Sequence, residues 1–396
     1  MKSLNKQAVK KLALFTTDIY DKILIKHRRN AEIKKINDPR RIEILKSVTL
    51  TNAERREIDD FFLEYYGERV PHLWHQYFTA YTGRFDAKYF PELLFIPEFE
   101  YFMNYKQDYQ KTFADKNVIS IIANSIGVKT PNVLLSGTSG AYKDQNGELV
   151  SKTDAAKRVR NIGNAFIKPT VGSSSGQGCA VLDIHDGIDR ISGENIETII
   201  NRGGNNFVIQ ERIKTHRTIS DLHESSVNTF RVMTYRWKDT IEYVPLLMRI
   251  GQKGNTLDNA HAGGMFIAVD DDGTLHDTAF TEFREKYVEH PDTHIKFGGY
   301  QIALVPKLIK AAIKMHNAIP QIGVINWDLT LGIDEEPILI EANTFGGSIW
   351  LFQMAHGKNP FGEKSEEILK WVKQQKMMRK SERNEDNGYG RMINNA

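Results

Sequence analysis

The sequence predicts an α+β fold carried behind a mostly helical N-terminal region. Three features of the 396-residue chain predict it. Residues 1–105 have a helical texture with aromatic clusters at 61–66 and 72–78, punctuated near its end by Gly83, Pro91 and Pro97. From about residue 106 the texture changes to alternating strands and helices. Finally, two apolar, β-rich runs at 322–331 and 337–343 are separated by the turn-forming stretch 332–336, which reads as a hairpin.

In chain order, residues 118–126 read as a helix closed by Gly127, followed by a strand over 132–135. Short strands at 166–168 and 180–183 flank a glycine-rich loop. A helix is expected at 188–201 and a short buried strand at 207–211. Residues 228–236 and 241–249 are long β-rich segments. An amphipathic helix at 302–317 precedes the hairpin, and 363–376 is the last convincing helix. Beyond Met377 the chain is polar with little to bury, which reads as a frayed tail. The expected division is a helical region over 1–105, α+β units over 106–205 and 206–376, and a flexible tail over 377–396.

A chain of this length can bury a large core. Its 40% hydrophobic and 26% charged residues have the balance of a soluble globular protein. No apolar run approaches the ~18 residues needed to span a bilayer. The longest near the N-terminus, Leu12-Ala13-Leu14-Phe15, is too short for the core of a secretion signal. The single cysteine, Cys179, excludes an internal disulfide, so a cytoplasmic location is expected. The net charge of +3 is unevenly spread: residues 1–50 hold 13 Lys/Arg against 5 Asp/Glu, a local +8. Val9, Leu12, Leu14, Ile19, Ile23 and Leu24 among those bases suggest amphipathic helices, either a solvated face or a peripheral contact with an anionic membrane, glycolipid or glycan. Outside that segment the bases do not outnumber the acids, which disfavours nucleic acid as a partner.

The hairpin carries an electrostatic problem. With Leu331 opposite Ile338, Asp328 sits opposite Glu341, and Asn343 shares a face with Glu341. Two carboxylates about 4 Å apart repel by roughly 4 kcal/mol at an effective dielectric near 20, so they call for a cation or a shared proton. An all-oxygen set with few protein ligands suits Mg²⁺ bridging to a substrate phosphate; an ordinary hairpin with solvent-facing acids is the plainer alternative.

A second pattern runs from Phe166 through Lys168-Pro169 to Gly172, Ser173, Ser174, Ser175, Gly176 and Gly178. A strand delivers a lysine, and small residues then let backbone N–H groups approach an anion closely. It is neither a Walker loop nor a dinucleotide fingerprint. Further on, the apolar strand at 207–213 contains Gln210, Glu211 and Ile213, whose backbone can face an adenine edge. Asn228 and Arg231 lie in a β-rich run, where an arginine needs an anionic partner. Asp258, Asn259, His261, Gly263 and Gly264 form a second small-residue loop. Cys179 reads as a small buried residue at a strand start.

In this order, a Lys-Pro with a Gly/Ser loop, a Gln-Glu strand and the Asp…Glu-x-Asn pattern resemble the ATP-grasp superfamily, in which two α+β subdomains clasp ATP. The resemblance implies that Lys116 and Lys168 hold ATP phosphates under the loop 172–178. It implies as well that backbone near Gln210, Glu211 and Ile213 meets adenine, and that Asp328, Glu341 and Asn343 bind Mg²⁺, with two ions in the site. The D-alanine–D-alanine ligase pattern has an arginine two residues before the metal aspartate, where this chain has Asn326; Arg231 or Arg249 is expected to take that role. The resemblance leaves the ribose-binding acid open, with Asp221 and Glu224 both nearby in the sequence. A closer resemblance rests on Trp74-His75, Phe90-Pro91-Glu92-Leu93, Ala114-Asp115-Lys116-Asn117, the 226–231 and 258–264 segments and His290-Pro291-Asp292-Thr293. These are similar to the sugar-transfer-associated ATP-grasp family of capsule and surface-polysaccharide biosynthesis, over about residues 57–373.

What the resemblance implies is an ATP-dependent carboxylate–amine ligase working through an acyl phosphate, its substrates a small-molecule or glycan carboxylate such as a uronic acid, and an amine. Arg231, Arg249 and Asn228 are the expected catalytic residues, with Asp258, Asn259, Gly263 and Gly264 shaping the substrate pocket. A sugar-kinase-like phosphotransferase and a non-catalytic nucleotide-binding scaffold are the alternatives.

Overall fold

The computed structural model describes residues 6–105, 107–172, 176–256, 258, 263–385 and 390. Two antiparallel sheets carry the α+β part. The first contains β1 (Val133–Thr138), β2 (Ala141–Asp144), β3 (Leu149–Val150), β4 (Gly163–Pro169), β5 (Ala180–His185), β6 (Ile188–Asp189) and β7 (Asn206–Glu211), in the order β3-β2-β1-β7-β4-β5-β6. The second contains β8 (Phe230–Trp237), β9 (Thr240–Tyr243), β10 (Leu247–Ile250), β11 (Met265–Ala268), β12 (Ala279–Phe280), β13 (Lys286–Tyr287), β14 (Val324–Leu331) and β15 (Pro337–Asn343). Its order is β13-β12-β11-β10-β8-β14-β15, with β9 paired to β8.

The strand β7 is central in the first sheet, flanked by β1 and β4. The sheet boundary therefore falls after Glu211, not at 205/206, because an apolar strand buried over four consecutive residues needs neighbours on both sides. The helix expected over 188–201 is shorter, Ile196–Gly203, with β6 and a turn before it. Asn195 caps it, its side chain accepting from the Thr198 N–H. The β-rich stretch 241–249 is two strands, broken at Pro245, which has no N–H for a ladder.

The second sheet is covered on both faces. One side packs the helices Lys116–Ser125 and Val305–Ala318 against Val232, Ile325, Trp327 and Leu329. The other side carries Met233, Tyr235, Trp237 and Val324, covered by the N-terminal aromatic residues and the helices Trp350–His356 and Ser365–Met377. Here the aromatic clusters find their partners: Phe78 lies 5.2 Å from Tyr89 and Phe90 lies 5.1 Å from Phe361, centroid to centroid. Because strand side chains alternate, Arg231 shares a face with Met233 and Tyr235, and Asp328 shares one with Val324. That face therefore has an apolar end under the helical layer and a polar end beyond it.

The first helix, Lys6–Ile36, exposes Leu12, Phe15, Ile19, Tyr20 and Ile23 among its bases. No helix among the described residues is long and apolar enough to cross a membrane. The expected frayed tail is in part a helix, Lys380–Glu385, docked by polar contacts. Arg383 pairs with Asp21 and lies 4.7 Å from the Phe102 ring centroid. An apolar pattern could not reveal it, since an ion pair and a cation–π contact hold it.

Candidate active site

Side chains from three adjacent strands meet in one row. The register puts Asp328 opposite Arg231 on one side and opposite Glu341 on the other. The expected hairpin pairing is thus present, but by a different route. Leu331 faces Pro337, not Ile338, and a bulge beside Leu329 restores the Asp328–Glu341 rung by inserting Ile340 as an extra residue. The bulge has a physical purpose. Leu339 and Ala342 both pack in the core beneath the sheet. In a regular ladder Leu339, Glu341 and Asn343 would all share a face, which would bury two polar groups or expose the leucine. One extra residue turns Glu341 and Asn343 to the opposite face, beside Asp328.

Asp328 is almost completely enclosed by donors. Arg231 Nε and Nη2 donate to its two oxygens at 2.9 and 3.0 Å. Arg249 Nη2 lies 3.1 Å from Oδ2, and Asn343 Nδ2 donates to the same oxygen at 3.3 Å. Burial alone would raise the pKa of this carboxyl, but the Arg231 and Arg249 guanidiniums outweigh it and hold the group below the usual range. Burial likewise opposes the charge on Arg249, and Asp328 and Asp258 overcome it, raising its pKa. Asn326, standing where the ligase pattern has arginine, is buried with Oδ1 unpartnered among the described residues. The cation facing the aspartate comes instead from the neighbouring strand, as Arg231.

Two lysines complete the opposite wall. Asp115 caps the helix Lys116–Ser125, its side chain accepting from the N–H groups of Asn117 and Val118 at 2.8 and 3.3 Å. The Lys116 N–H donates to Thr170 O at 3.0 Å, tying the helix start to the end of β4. Lys116 Nζ then reaches Glu341 at 3.3 Å. Lys168 Nζ lies 3.5 Å from the carbonyl of the bulge residue Ile340. Burial, then the charge of Lys116, pushes the Lys168 ammonium down to about 8. A buried cation beside a second cation is suited to an anion with several oxygens.

These residues surround a cavity of about 740 Å³, a size that accommodates a nucleotide. Gln210, Glu211 and Ile213 line it, as do Gly172, Gly176, Thr229, Asp258 and Cys179. Cys179 is thus half-buried at the cavity wall, not in the core, and burial raises its thiol pKa. Asp258 accepts from Thr229 N–H and Oγ1 at 2.7 and 2.6 Å, and Thr229 Oγ1 accepts from Arg249 at 2.6 Å. Gly263 O accepts from Gln252, and Gly264 is buried. Ser173, Ser174, Ser175, Asn259 and His261 lie outside the described residues.

Asn228, expected to be catalytic, has a different position. It is fully buried at φ +53, donates to His223 O and Ile219 O, and accepts from Ser226 Oγ and Gly251 N. With all its hydrogen-bonding capacity used in the backbone turn, it braces the approach to β8 and does not line the cavity. Asp221 and Glu224 are exposed and likewise off the cavity wall. The structure also adds residues that the sequence did not indicate: Arg28, Gln110, Lys111 and Phe345 line the same cavity. Arg28 lies in a basic run without a local pattern, and only the tertiary fold brings it to Phe345.

The donor set suits a hard cation. Asp328 and Glu341 can ligate only through carboxylate oxygens, and Asn343, whose amide nitrogen is engaged with Asp328, only through its amide oxygen. Among the described residues no group of three or more His, Cys, Asp or Glu offers another metal site. Two carboxylates and an amide match an ion that keeps part of its shell for phosphate and water, which fits Mg²⁺.

A family model described as sugar-transfer associated ATP-grasp matches residues 95–367. No curated protein matches by sequence. Among solved structures, the L-amino acid ligase from Bacillus licheniformis aligns at 15% identity over 65% of this chain and 48% of its own, with a TM-score of 0.37. VanG D-Ala:D-Ser ligase from Enterococcus faecalis aligns at 14% identity over 66% of this chain and 61% of its own, TM-score 0.40. D-alanine–D-alanine ligase from Bacillus anthracis aligns at 14% identity over 70% of each chain, TM-score 0.37. The chain thus spans about half of the first of these ligases and three-fifths of the second.

Proposed function

Since the chain belongs to the sugar-transfer associated ATP-grasp family, we propose that it uses Mg²⁺·ATP to activate a carboxylate and join it to an amine. The observation that carries this reading is the pairing of Lys116 and Lys168 with the Asp328, Glu341 and Asn343 row around one cavity. The lysines suit the phosphates, and the backbone at Gln210, Glu211 and Ile213 suits the adenine. Asp328, Glu341 and Asn343 would hold Mg²⁺, which when bound offsets the charge of the β- and γ-phosphates.

Arg231 and Arg249 act as counter-charges to Asp328 in the chain itself. Both line the cavity, where they would stabilise negative charge as the γ-phosphoryl passes to a carboxylate oxygen. That transfer yields ADP and an acyl phosphate. The amine then attacks the acyl carbon, the C–O bond to phosphate breaks, and phosphate leaves with the electron pair while the amine loses a proton. No protein nucleophile is needed, in keeping with a Cys179 thiol that burial keeps protonated. Asp258, fixed by Thr229 beside Arg249, supports a substrate-side role for its loop. The family's description associates it with sugar transfer; on that ground our reading takes a sugar carboxylate, such as a uronic acid of a surface polysaccharide, as the acceptor.

The test is ADP release from Mg²⁺·ATP over a grid of uronic acids, peptides and amines, with products identified by mass spectrometry. An amide formed with one ADP and one phosphate supports the ligase. A stable phosphorylated sugar formed without any amine would replace it with a phosphotransferase.

A further inference from the structure

The N-terminal helix reaches the cavity through one side chain. Arg28 lines the wall next to Phe345. Its guanidinium carbon lies 4.6 Å from the ring centroid of Tyr101 and 4.8 Å from that of Phe345. Nη1 is buried and has no hydrogen-bond partner among the described residues. The adjacent Arg29 behaves differently, pairing with Glu98 and donating to Tyr66 Oη at 3.2 Å.

The carboxylates closest to Arg28 are committed elsewhere. Glu100 accepts from the N–H groups of Gly346 and Gly347 at 2.8 and 2.9 Å. Asp21 is held by Tyr101 Oη and Arg383. Glu100 and Asp21 therefore act on Arg28 only through space, while burial works against its charge. Stacking on aromatic faces fixes the plane of the guanidinium, so its edge N–H groups are set for a planar anion. The same Glu100 contacts fix the loop that carries Phe345, so the ring and the guanidinium are positioned together. Phe345 follows Asn343 by two residues, so Arg28 stands where the metal-ligand wall ends, and not on the first-sheet side that carries Gln210.

We propose that Arg28 grips an anionic group of the acceptor, a carboxylate or phosphate oxygen pair, so that the N-terminal helical region forms part of the substrate site. The inference rests on the reading of the cavity as a Mg²⁺·ATP-dependent ligase site.

The test titrates the full-length wild-type protein, Arg28→Gln and Arg28→Lys by calorimetry, with Mg²⁺ and a non-hydrolysable ATP analogue present. The probes are D-glucuronate, D-galacturonate, L-glutamate and glucose 1-phosphate, with D-glucose as the neutral control. At least one anion binds the wild type, and Arg28→Gln weakens it about 10- to 100-fold, the value of a lost charge-assisted hydrogen bond. Arg28→Lys restores part of the affinity, which separates charge from packing. Whether the uronates and glutamate or the phosphate respond identifies the anion class. The affinity for the ATP analogue is unchanged in both variants, which also reports that they fold. An anion that binds all three proteins equally overturns the proposal, as does a wild type that binds the nucleotide but none of the anions. A wild type that fails to bind the nucleotide overturns the ligase reading instead.

Discussion

Asp328→Asn and Glu341→Gln should both abolish ATP turnover, yet differ sharply in stability. Asp328 has only 4% of its side chain exposed and faces two arginines and an asparagine. Neutralising it leaves Arg231 and Arg249 without their shared counter-charge, and breaking a buried pair by removing one partner costs about 3–5 kcal/mol. Glu341 is 30% exposed and pairs with Lys116 at 3.3 Å. Its loss should cost about 1 kcal/mol or less, since water screens it. Thermal unfolding in the absence of nucleotide should therefore show a drop of roughly 5–10 °C for Asp328→Asn and little change for Glu341→Gln. Adding Arg231→Met to Asp328→Asn should recover part of the loss, because one stranded cation is removed. The assay is scanning fluorimetry with denaturant melts alongside, and ADP release in parallel. An Asp328→Asn protein that melts with the wild type would refute the argument that these arginines depend on the aspartate.

Lys168 gives a pH signature. Its folded pKa is pushed down to about 8 from the ordinary 10.5, so the unfolded chain binds more protons between those values and stability rises with pH across that window. Lys168→Met should flatten the rise in denaturant melts taken from pH 8 to 10.5, and kcat/KM for ATP in the wild type should fall above about pH 8. Glu100 acts in the opposite sense. Burial raises its carboxyl to about 7 against its backbone donors, so the folded state binds more protons from 4.5 to 7 and stability falls as pH rises through that range. Glu100→Gln should remove that slope, measured by melting temperature between pH 4.5 and 7. Gly347→Ala should destabilise the loop after β15, because its new Cβ would lie 1.8 Å from Asn326 Nδ2; a melting temperature equal to the wild type would mean that Asn326 turns aside freely.

The elements that could be read from sequence are those whose cause is local. The Val305–Ala318 helix and the β14–β15 hairpin each carry their apolar pattern within one contiguous stretch. The strand that carries Lys168 is likewise legible, because its apolar residues and the lysine are contiguous. The sheet boundary is not legible, because an apolar strand does not announce which sheet will take it, and β7 is placed by β1 and β4. Asn228 looked chemical because it precedes Arg231, yet its amide braces a turn that brings together residues from 219 to 251. Arg28 and Phe345 could not be paired in advance, since nothing in a basic run marks which cation turns inward. The docked helix Lys380–Glu385 escaped for a similar reason: its anchor Asp21 lies at the far end of the chain.

Ile340 separates what a position contains from whether it exists. As a side chain it is a half-buried aliphatic, and valine or leucine would serve. As a count of one, it decides which side of the sheet receives every residue after it. The hairpin should thus accept many substitutions at 340 and no deletion, because a shortened strand would carry Glu341 and Asn343 into the layer occupied by Leu339 and Trp327. Chain length between Leu339 and Glu341 is a functional parameter in its own right, set by parity and invisible to any scale of hydrophobicity.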